Sequence, residues 1–229
     1  MRPDSWSLAL RIVVTIDGPA GAGKSTVAKS LANELGWRYL DTGALYRAVA
    51  LIAGERGVTS DDALGLGALT AALQITQDPQ GRTFVADRDV SADIRTEAVS
   101  DGASRISAHP PVRAALVEVQ RSVAQAGHLV CEGRDMGTVI FPEAQLKVFL
   151  VADARTRAMR RAKDLDAQGE SCDLEELVAK IEERDRRDTR RATSPLEKHN
   201  DMVEVDTSDL SIEQVLERLQ QLVAEQVER

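Results

Sequence analysis

The 229-residue sequence predicts an α/β fold, in which a parallel sheet of about five strands is flanked by helices. Short apolar runs rich in β-branched residues alternate with longer segments of helical spacing. Each apolar run is followed by polar or helical sequence, as expected where strands alternate with crossover helices. Internal repeats and low-complexity linkers are absent, so we predict a single domain at 11–229 after an N-terminal tail at 1–10.

The first part of the chain predicts two strand–helix units. "RIVVTID" is a β-branched run that ends at a glycine, which indicates a buried strand. Asp41 precedes a helical segment, where it could equally be an N-cap or a site residue. The predicted elements are a strand at 11–17, a helix at 24–35 closed by Gly36, a strand at 37–40 and a helix at 42–57.

The middle of the chain has a different pattern. Residues 73–91 alternate apolar and polar side chains around an Asp-Pro-Gln-Gly turn, which is typical of a β-hairpin. Within a β/α chain this hairpin suggests a small antiparallel insert.

The rest of the chain returns to β/α alternation. A densely charged helical segment occupies 153–192 and is broken near Gly169, and Ser211 with Gln214 forms a capping box for the last helix. The other predicted elements are a helix at 110–127, strands at 128–132, 146–152 and 202–206, and the last helix at 211–223.

Composition excludes several classes of function. The net charge of −8 argues against a general nucleic-acid binder, which would normally be basic. No apolar run approaches the ~20 residues of a membrane span. Cys131 and Cys172 form neither a CxxC pair nor a disulfide framework, which fits a reducing, cytoplasmic compartment. We therefore expect a cytoplasmic protein without nucleic-acid or membrane partners.

A phosphate-binding loop follows the first strand. "GPAGAGKS" matches the pattern Gly-x4-Gly-Lys-Ser between a strand and a helix, as that loop requires. Its glycines let backbone amides converge on phosphate oxygens, and the helix N-terminus favours negative charge. Lys24 would reach the β- and γ-phosphates, and the Ser25 hydroxyl would bind Mg²⁺.

The loop alone leaves the reaction open. GTP-binding proteins carry Asn-Lys-x-Asp, but neither Asn33 nor Asn200 is followed by lysine. The remaining candidates are a small kinase and an ATPase that serves an assembly process.

Three polar clusters would meet at the carboxyl ends of the strands, where parallel α/β proteins bind ligands. They lie at 41–47, 132–135 and 184–191. Their arginines suit an anionic acceptor, and their carboxylates can accept hydrogen bonds from amino or hydroxyl groups. A phosphorylated nucleoside has all three kinds of group: an anionic phosphate, amino groups and hydroxyl groups.

Four motifs, in this order, resemble the bacterial cytidylate kinase family: "TIDGPAGAGKST", "LDTGALYRA", "EGRDMGTVIFP" and "ERDRRDTRR". The resemblance runs from about Arg11 to the C-terminal helix. It implies a P-loop kinase fold with an antiparallel nucleoside-monophosphate (NMP)-binding insert at about 68–104 and a helical lid at about 154–192. It also implies transfer of the γ-phosphoryl group of ATP to CMP or dCMP, which gives CDP or dCDP and ADP.

The resemblance further implies the residues that bind ATP and promote transfer. Lys24, Arg134 and Arg191 would stabilise the charge on the transferring group, with Mg²⁺ on Ser25. The ATP-binding residues would be Gly18, Pro19, Ala20, Gly21, Ala22, Gly23, Lys24, Ser25 and Thr26.

The acceptor-binding residues follow from the same resemblance, and they fall into three groups that contact the base, the phosphate and the sugar. The base would be recognised by Ser104, Arg113 and Asp135, the phosphate by Thr42, Arg47, Arg134 and Arg191, and the sugar by Arg184 and Asp188.

Two other functions stay open on the residues alone. One is a kinase for a different nucleoside monophosphate, and the other is a P-loop RNA-associated ATPase, against which the acidic net charge counts. The segment at 194–202 is less similar to the family than its surroundings. The arginines at 155–161 could form a solvated helix face or part of a lid over ATP. We expect a monomer.

Overall fold

The computed structural model describes residues 11–167, 169 and 171–227, and its centre is a five-stranded sheet. The predicted tail at 1–10 lies outside the described residues. The strands are β1 Val13–Asp17, β2 Arg38–Asp41, β6 Leu129–Gly133, β7 Leu146–Val151 and β8 Val203–Asp206. All neighbouring strands are parallel, in the order β2-β6-β1-β7-β8, so the expected strand count and direction are confirmed.

Each face of the sheet carries its own hydrophobic core. Along β6, Leu129 and Cys131 pack into one core while Val130 packs into the other, because successive strand side chains point to opposite faces. The core that contains Val130 is completed by helices α1 (Lys24–Leu35) and α8 (Ile212–Val227). The other is completed by α2 (Thr42–Glu55) and α5 (Pro110–Ala124), among others.

The end of α1 and the start of α8 lie at the capping residues that the sequence predicts. Gly36 follows α1 in the left-handed conformation, and its N–H donates to the carbonyls of Ala32 and Asn33. At the start of α8, the Ser211 N–H donates to Gln214 Oε1 at 2.9 Å and the Gln214 N–H donates to Ser211 Oγ at 3.3 Å. The predicted capping box is therefore confirmed.

The antiparallel insert lies within the predicted segment 73–91 but has one strand more than a hairpin. It has three strands, β3 (Ile75–Gln77), β4 (Thr83–Val85) and β5 (Arg88–Asp89). The Gln77 side chain joins it to the main sheet, since its Nε2 donates to the Asp41 carbonyl at 2.8 Å and its Oε1 accepts from the Asp41 N–H at 3.1 Å.

We did not predict two helices beside the insert, α3 (Ala63–Ala72) and α4 (Glu97–Ile106). The α3 sequence ALGLGALTAA is almost wholly apolar and contains two glycines, so it lacks the polar stripe that marks an amphipathic helix. Thr96 is the N-cap of α4, and its Oγ1 accepts from the Val99 N–H at 3.3 Å.

The charged segment at 153–192 forms two helices, α6 (Ala154–Asp166) and α7 (Leu174–Arg190). The break that we predicted near Gly169 is confirmed, because Gly169 adopts a φ of 77° between them. A further element that we did not predict is a short π-helix, Met136–Ile140, which begins three residues after the end of β6. Among the described residues, the structure contains no helix that is both long and apolar enough to cross a bilayer.

Candidate active site

One cleft of about 1620 Å³ opens beyond the carboxyl ends of β1, β2 and β6. It brings the three predicted polar clusters together with the phosphate-binding loop. Gly18 and Pro19, which begin that loop, do not line it. The other predicted site residues do: Ala20, Gly21, Ala22, Gly23, Lys24, Ser25, Thr26, Thr42, Arg47, Ser104, Arg113, Arg134, Asp135, Arg184, Asp188 and Arg191.

The phosphate-binding loop requires glycine at its two ends. A Cβ on Gly18 would lie 2.2 Å from the Leu150 carbonyl oxygen, and Gly23 has a φ of 87° as it begins α1. Lys24 is buried, and its Nζ donates to the Pro19 carbonyl at 2.7 Å. Burial and, after it, the positive charge of Arg134 lower the pKa of Lys24 to about 7.

A buried carboxylate, Glu132, lies beside this lysine. Tyr39 donates its hydroxyl proton to Glu132 Oε1 at 2.7 Å. Burial raises the pKa of the Glu132 carboxyl group and the charge of Asp41 raises it further. Lys24 and a hydrogen bond from Ser25 act in the opposite direction. Glu132 belongs to a predicted polar cluster, but nothing in its sequence context assigned it a role.

Asp41, at the start of α2, organises the polar cluster at 41–47. Asp41 Oδ1 accepts from the Ala44 N–H at 2.8 Å, which makes it the N-cap, and Oδ2 pairs with Arg47 at 2.8 Å. The neighbouring Thr42 hydroxyl donates to the Glu132 carbonyl at 2.7 Å. Asp41 is therefore a cap that also orients a cleft arginine, so the two interpretations are compatible.

Asp135 is buried between two guanidinium groups. Arg113 donates to its Oδ2, and Arg191 Nη2 lies 3.7 Å from its Oδ1. These side chains are between 3 and 6 % exposed. Ser104 Oγ and Arg191 Nη2 are buried in the same region without hydrogen-bond partners among the described residues. Buried polar atoms of this kind normally find a partner, so the region is suited to a polar ligand.

A third group combines Arg134, Arg184 and Asp188. Arg134 Nε donates to Asp188 Oδ2 at 2.8 Å. Burial and, after it, the charge of Arg134 lower the pKa of Arg184 to about 10. Burial favours the protonated form of Asp188, but Arg134 and Arg184 outweigh it and hold the pKa of Asp188 below its ordinary value. The two guanidiniums thus place concentrated positive charge in the cleft, which suits an anion.

Sequence reasoning did not single out Arg157, which connects three parts of the site. It is 4 % exposed on α6. Its Nη1 donates to the Ala20 carbonyl of the phosphate-binding loop at 3.0 Å, and its Nη2 pairs with Asp185 of α7 at 2.6 Å. Arg155, on the same helix, instead forms an exposed pair with Glu175. Both arginines belong to one charged helix, so nothing in the sequence distinguishes them.

The family model described as cytidylate kinase matches residues 14–225, which is most of the chain. The chain belongs to the cytidylate kinase family. A Geobacter cytidylate kinase is 47 % identical over 219 residues, with 94 % of each chain covered. A Pseudomonas entomophila cytidylate kinase is 48 % identical over 217 residues, which cover 93 % of this chain and 95 % of that protein. The predicted family and enzyme class are therefore confirmed.

A solved structure supports the fold assignment independently of close sequence similarity. The crystal structure of an uncharacterized protein from Eubacterium ventriosum superposes with a TM-score of 0.52 at 13 % identity. The alignment covers 94 % of this chain and 99 % of that one. At this identity the likeness concerns only the fold.

Proposed function

We propose that the protein transfers the γ-phosphoryl group of ATP to CMP or dCMP, giving CDP or dCDP and ADP. The main structural support is the single cleft, in which the phosphate-binding loop faces the buried group of Arg113, Asp135 and Arg191. A triphosphate at one end and a nucleotide at the other would bring donor and acceptor phosphates into one volume. Membership of the cytidylate kinase family supports the same reaction.

The donor end has groups suited to ATP and Mg²⁺. The loop amides and Lys24 would bind the phosphates, whose negative charge favours protonated Lys24 and opposes the effect of burial on its pKa. Ser25 and Glu132 provide oxygen atoms, the ligands that Mg²⁺ prefers, and would hold the ion directly or through water. When bound, Mg²⁺ supplies neutralisation of phosphate charge.

The acceptor phosphate would lie among Arg47, Arg134 and Arg191, with Thr42 beside it. The orientation of Arg134 is fixed, because Nε donates to Asp188 and Nη1 donates to the Gly133 carbonyl at 3.2 Å. Arg191 Nη2 is buried and has no hydrogen-bond partner among the described residues, so it is available to a phosphate oxygen. A planar guanidinium can donate two parallel hydrogen bonds to such an oxyanion.

Cytosine would be recognised by Ser104, Arg113 and Asp135. The Asp135 carboxylate can accept a hydrogen bond from the exocyclic amino group of cytosine, whereas uracil has a carbonyl oxygen there that the carboxylate would repel. The unpartnered Ser104 hydroxyl can donate to a base acceptor or accept from a base donor. Arg113 holds the carboxylate in place from its other side.

The sugar would lie against Arg184 and Asp188. Asp188 keeps its ion pair with Arg134 through one oxygen atom, so the other oxygen can accept from a sugar hydroxyl. Arg184 Nε has no hydrogen-bond partner among the described residues. This arrangement would link the sugar to the same arginine that binds the acceptor phosphate.

Transfer would proceed by positioning and charge stabilisation. The second pKa of a phosphate monoester is about 6, so the acceptor is largely dianionic at neutral pH and needs no general base. Lys24, Arg134 and Arg191 would stabilise the charge that spreads over the transferring group. Closure of the region at about 154–192 would exclude water and so limit ATP hydrolysis.

The predicted insert at about 68–104, the lid at about 154–192, a cytoplasmic location and a monomeric state stay predictions. Two ion pairs between α4 and α7, Lys180–Glu97 at 3.0 Å and Arg187–Asp101 at 2.8 Å, support a lid that meets the insert across the cleft.

The proposed reaction can be tested by coupled ADP-release kinetics with CMP, dCMP, UMP, AMP and GMP as acceptors. We expect kcat/KM for CMP and dCMP to exceed the values for the other acceptors by at least about tenfold, which corresponds to about 1.4 kcal/mol. A preference for UMP, AMP or GMP would favour a different nucleoside monophosphate kinase. ADP release independent of any acceptor would favour an ATPase.

A further inference from the structure

A buried carboxylate on β1 makes two hydrogen bonds that the proposed reaction does not use. Asp17 is the last residue of β1 and is fully buried. Its Oδ1 accepts from the Met136 N–H at 2.9 Å, and its Oδ2 accepts from the Gly137 N–H at 2.8 Å. Both donors follow directly after the cleft residues Arg134 and Asp135.

These two N–H groups begin the π-helix, where backbone donors have no partner inside the helix. Asp135 occupies the N-cap position, where an aspartate side chain would ordinarily accept such a bond. Here it makes no capping hydrogen bond, because its carboxylate pairs with Arg113 and faces Arg191. Asp17 therefore caps the helix from a neighbouring strand and leaves Asp135 available to the cleft.

The position of Asp17 also relates the two ends of the cleft. In the register of β1 with β6, Asp17 is opposite Gly133, the residue before Arg134. Along the chain, Asp17 directly precedes Gly18, where the phosphate-binding loop begins. One side chain thus joins the start of the ATP-binding loop to the segment that carries Arg134 and Asp135.

The ionised carboxyl group is the form that fits this position. Burial raises the pKa of Asp17 to about 6, while the Gly137 and Met136 N–H groups act in the opposite direction, so the group is mainly ionised at neutral pH. A carboxylate accepts with both oxygens, whereas an amide presents one acceptor and one donor. An asparagine would therefore satisfy one N–H and oppose the other.

We infer that Asp17 is a positioning residue, which fixes Arg134 and Asp135 relative to the phosphate-binding loop. The inference rests on the proposed roles of Arg134 and Asp135 in acceptor binding. In this role Asp17 does not contact the substrate. It orients Arg134 and Asp135, which do.

The test is the variant Asp17→Asn with Thr15→Val as a matched control. Thr15 lies two residues earlier on the same face of β1 and is fully buried. Its hydroxyl has no hydrogen-bond partner among the described residues, and a Cβ on Gly137 would lie 2.9 Å from it. Thr15→Val therefore perturbs the surroundings of the same turn without removing a hydrogen bond.

We expect Asp17→Asn to lower kcat/KM for CMP by roughly tenfold or more, the scale of one lost hydrogen bond in a buried site. We also expect its CMP-over-UMP ratio to fall and its KM for ATP to change by less than about twofold, since the loop itself is intact. Thr15→Val should leave all three quantities near the wild-type values. An Asp17→Asn enzyme with wild-type selectivity and wild-type kcat/KM would overturn the inference.

A second measurement needs no activity, and its wild-type arm needs no variant. Hydrogen exchange followed by NMR should find the Met136 and Gly137 amides protected in the wild-type protein and in Thr15→Val, and faster to exchange in Asp17→Asn. If these amides exchange as freely as exposed amides in the wild-type protein, the inference fails whatever the reaction is. If the wild-type protein is inactive on CMP but the amides are protected, the proposed function fails and the capping role of Asp17 stands.

Discussion

At the residue scale, the cleft concentrates charged groups whose side chains are largely buried. Lys24, Asp135 and Arg191 have side chains that are largely buried, and each has at least one charged neighbour in the cleft. Because burial strengthens electrostatic interactions, small changes in the geometry of these groups have large effects. Three single substitutions test this directly.

Lys24→Ala should lower kcat by at least about a hundredfold, the scale for removing one electrostatic stabiliser of a transition state. The fold should persist, because the hydrogen bond that the lysine side chain makes is local, to the carbonyl of Pro19 in the same loop. Lys29→Ala is the matched control, since Lys29 is an exposed lysine on the same helix. Turnover of Lys24→Ala close to that of the wild type, at saturating ATP, would contradict the proposed donor site.

Arg134→Lys keeps the positive charge but removes the planar group that donates to both Asp188 and the Gly133 carbonyl. We expect kcat/KM for CMP to fall roughly tenfold or more. The exposed Arg38 provides the control substitution Arg38→Lys, which should leave the kinetics unchanged. Unchanged kinetics in Arg134→Lys would mean that the acceptor phosphate is bound elsewhere.

Asp135→Asn should relax selectivity for the base. The amide would offer a donor to the uracil carbonyl, while cytosine would lose a charge-assisted hydrogen bond. We expect the ratio of kcat/KM for CMP to that for UMP to drop by one to two orders of magnitude, or about 1–3 kcal/mol. Measuring the ratio separates this effect from a general loss of activity caused by the lost pairing with Arg113. An equal loss on both substrates would assign Asp135 to the architecture of the site.

At the scale of elements, α6 and α7 pack against each other through a small core of their own, and α6 contacts the phosphate-binding loop through a polar group. That core contains Ala158, Leu165 and Leu177. Arg157 adds the connection to the Ala20 carbonyl and to Asp185. Movement of the two helices relative to the loop would therefore require this guanidinium to exchange its partners.

Arg157→Ala should lower the free energy of unfolding by about 2–4 kcal/mol, because it leaves the Ala20 carbonyl and Asp185 without their partner. The value is set about 1 kcal/mol lower than for a fully buried pair, since the Asp185 side chain is 23 % exposed. Arg155→Ala, two residues earlier, removes only an exposed ion pair and should cost less than about 1 kcal/mol. Urea denaturation measures both. Equal effects of the two variants would contradict the structural role of Arg157.

At the scale of the whole molecule, the sequence predicts what depends on local chemistry. Glycines and capping residues mark the ends of α1 and α8, and three polar clusters lie at strand ends that share one edge of a parallel sheet. The partners of charged groups could not be predicted in this way. The pairing of Arg113 with Asp135 spans 22 positions, and the cap that Asp17 gives the π-helix spans 119. Both depend on packing and strand register, which are properties of the folded chain.

The contact between Gln77 and Asp41 has a consequence for the protein in solution. β2 is an outermost strand of the main sheet, and the unpaired backbone groups of such a strand can add a strand from another molecule. At Asp41 the Gln77 side chain bonds both the N–H and the carbonyl, so it occupies the place that an invading strand would take. The small insert thereby protects the last residue of β2 from intermolecular β-pairing, a defence against aggregation that does not involve the cleft.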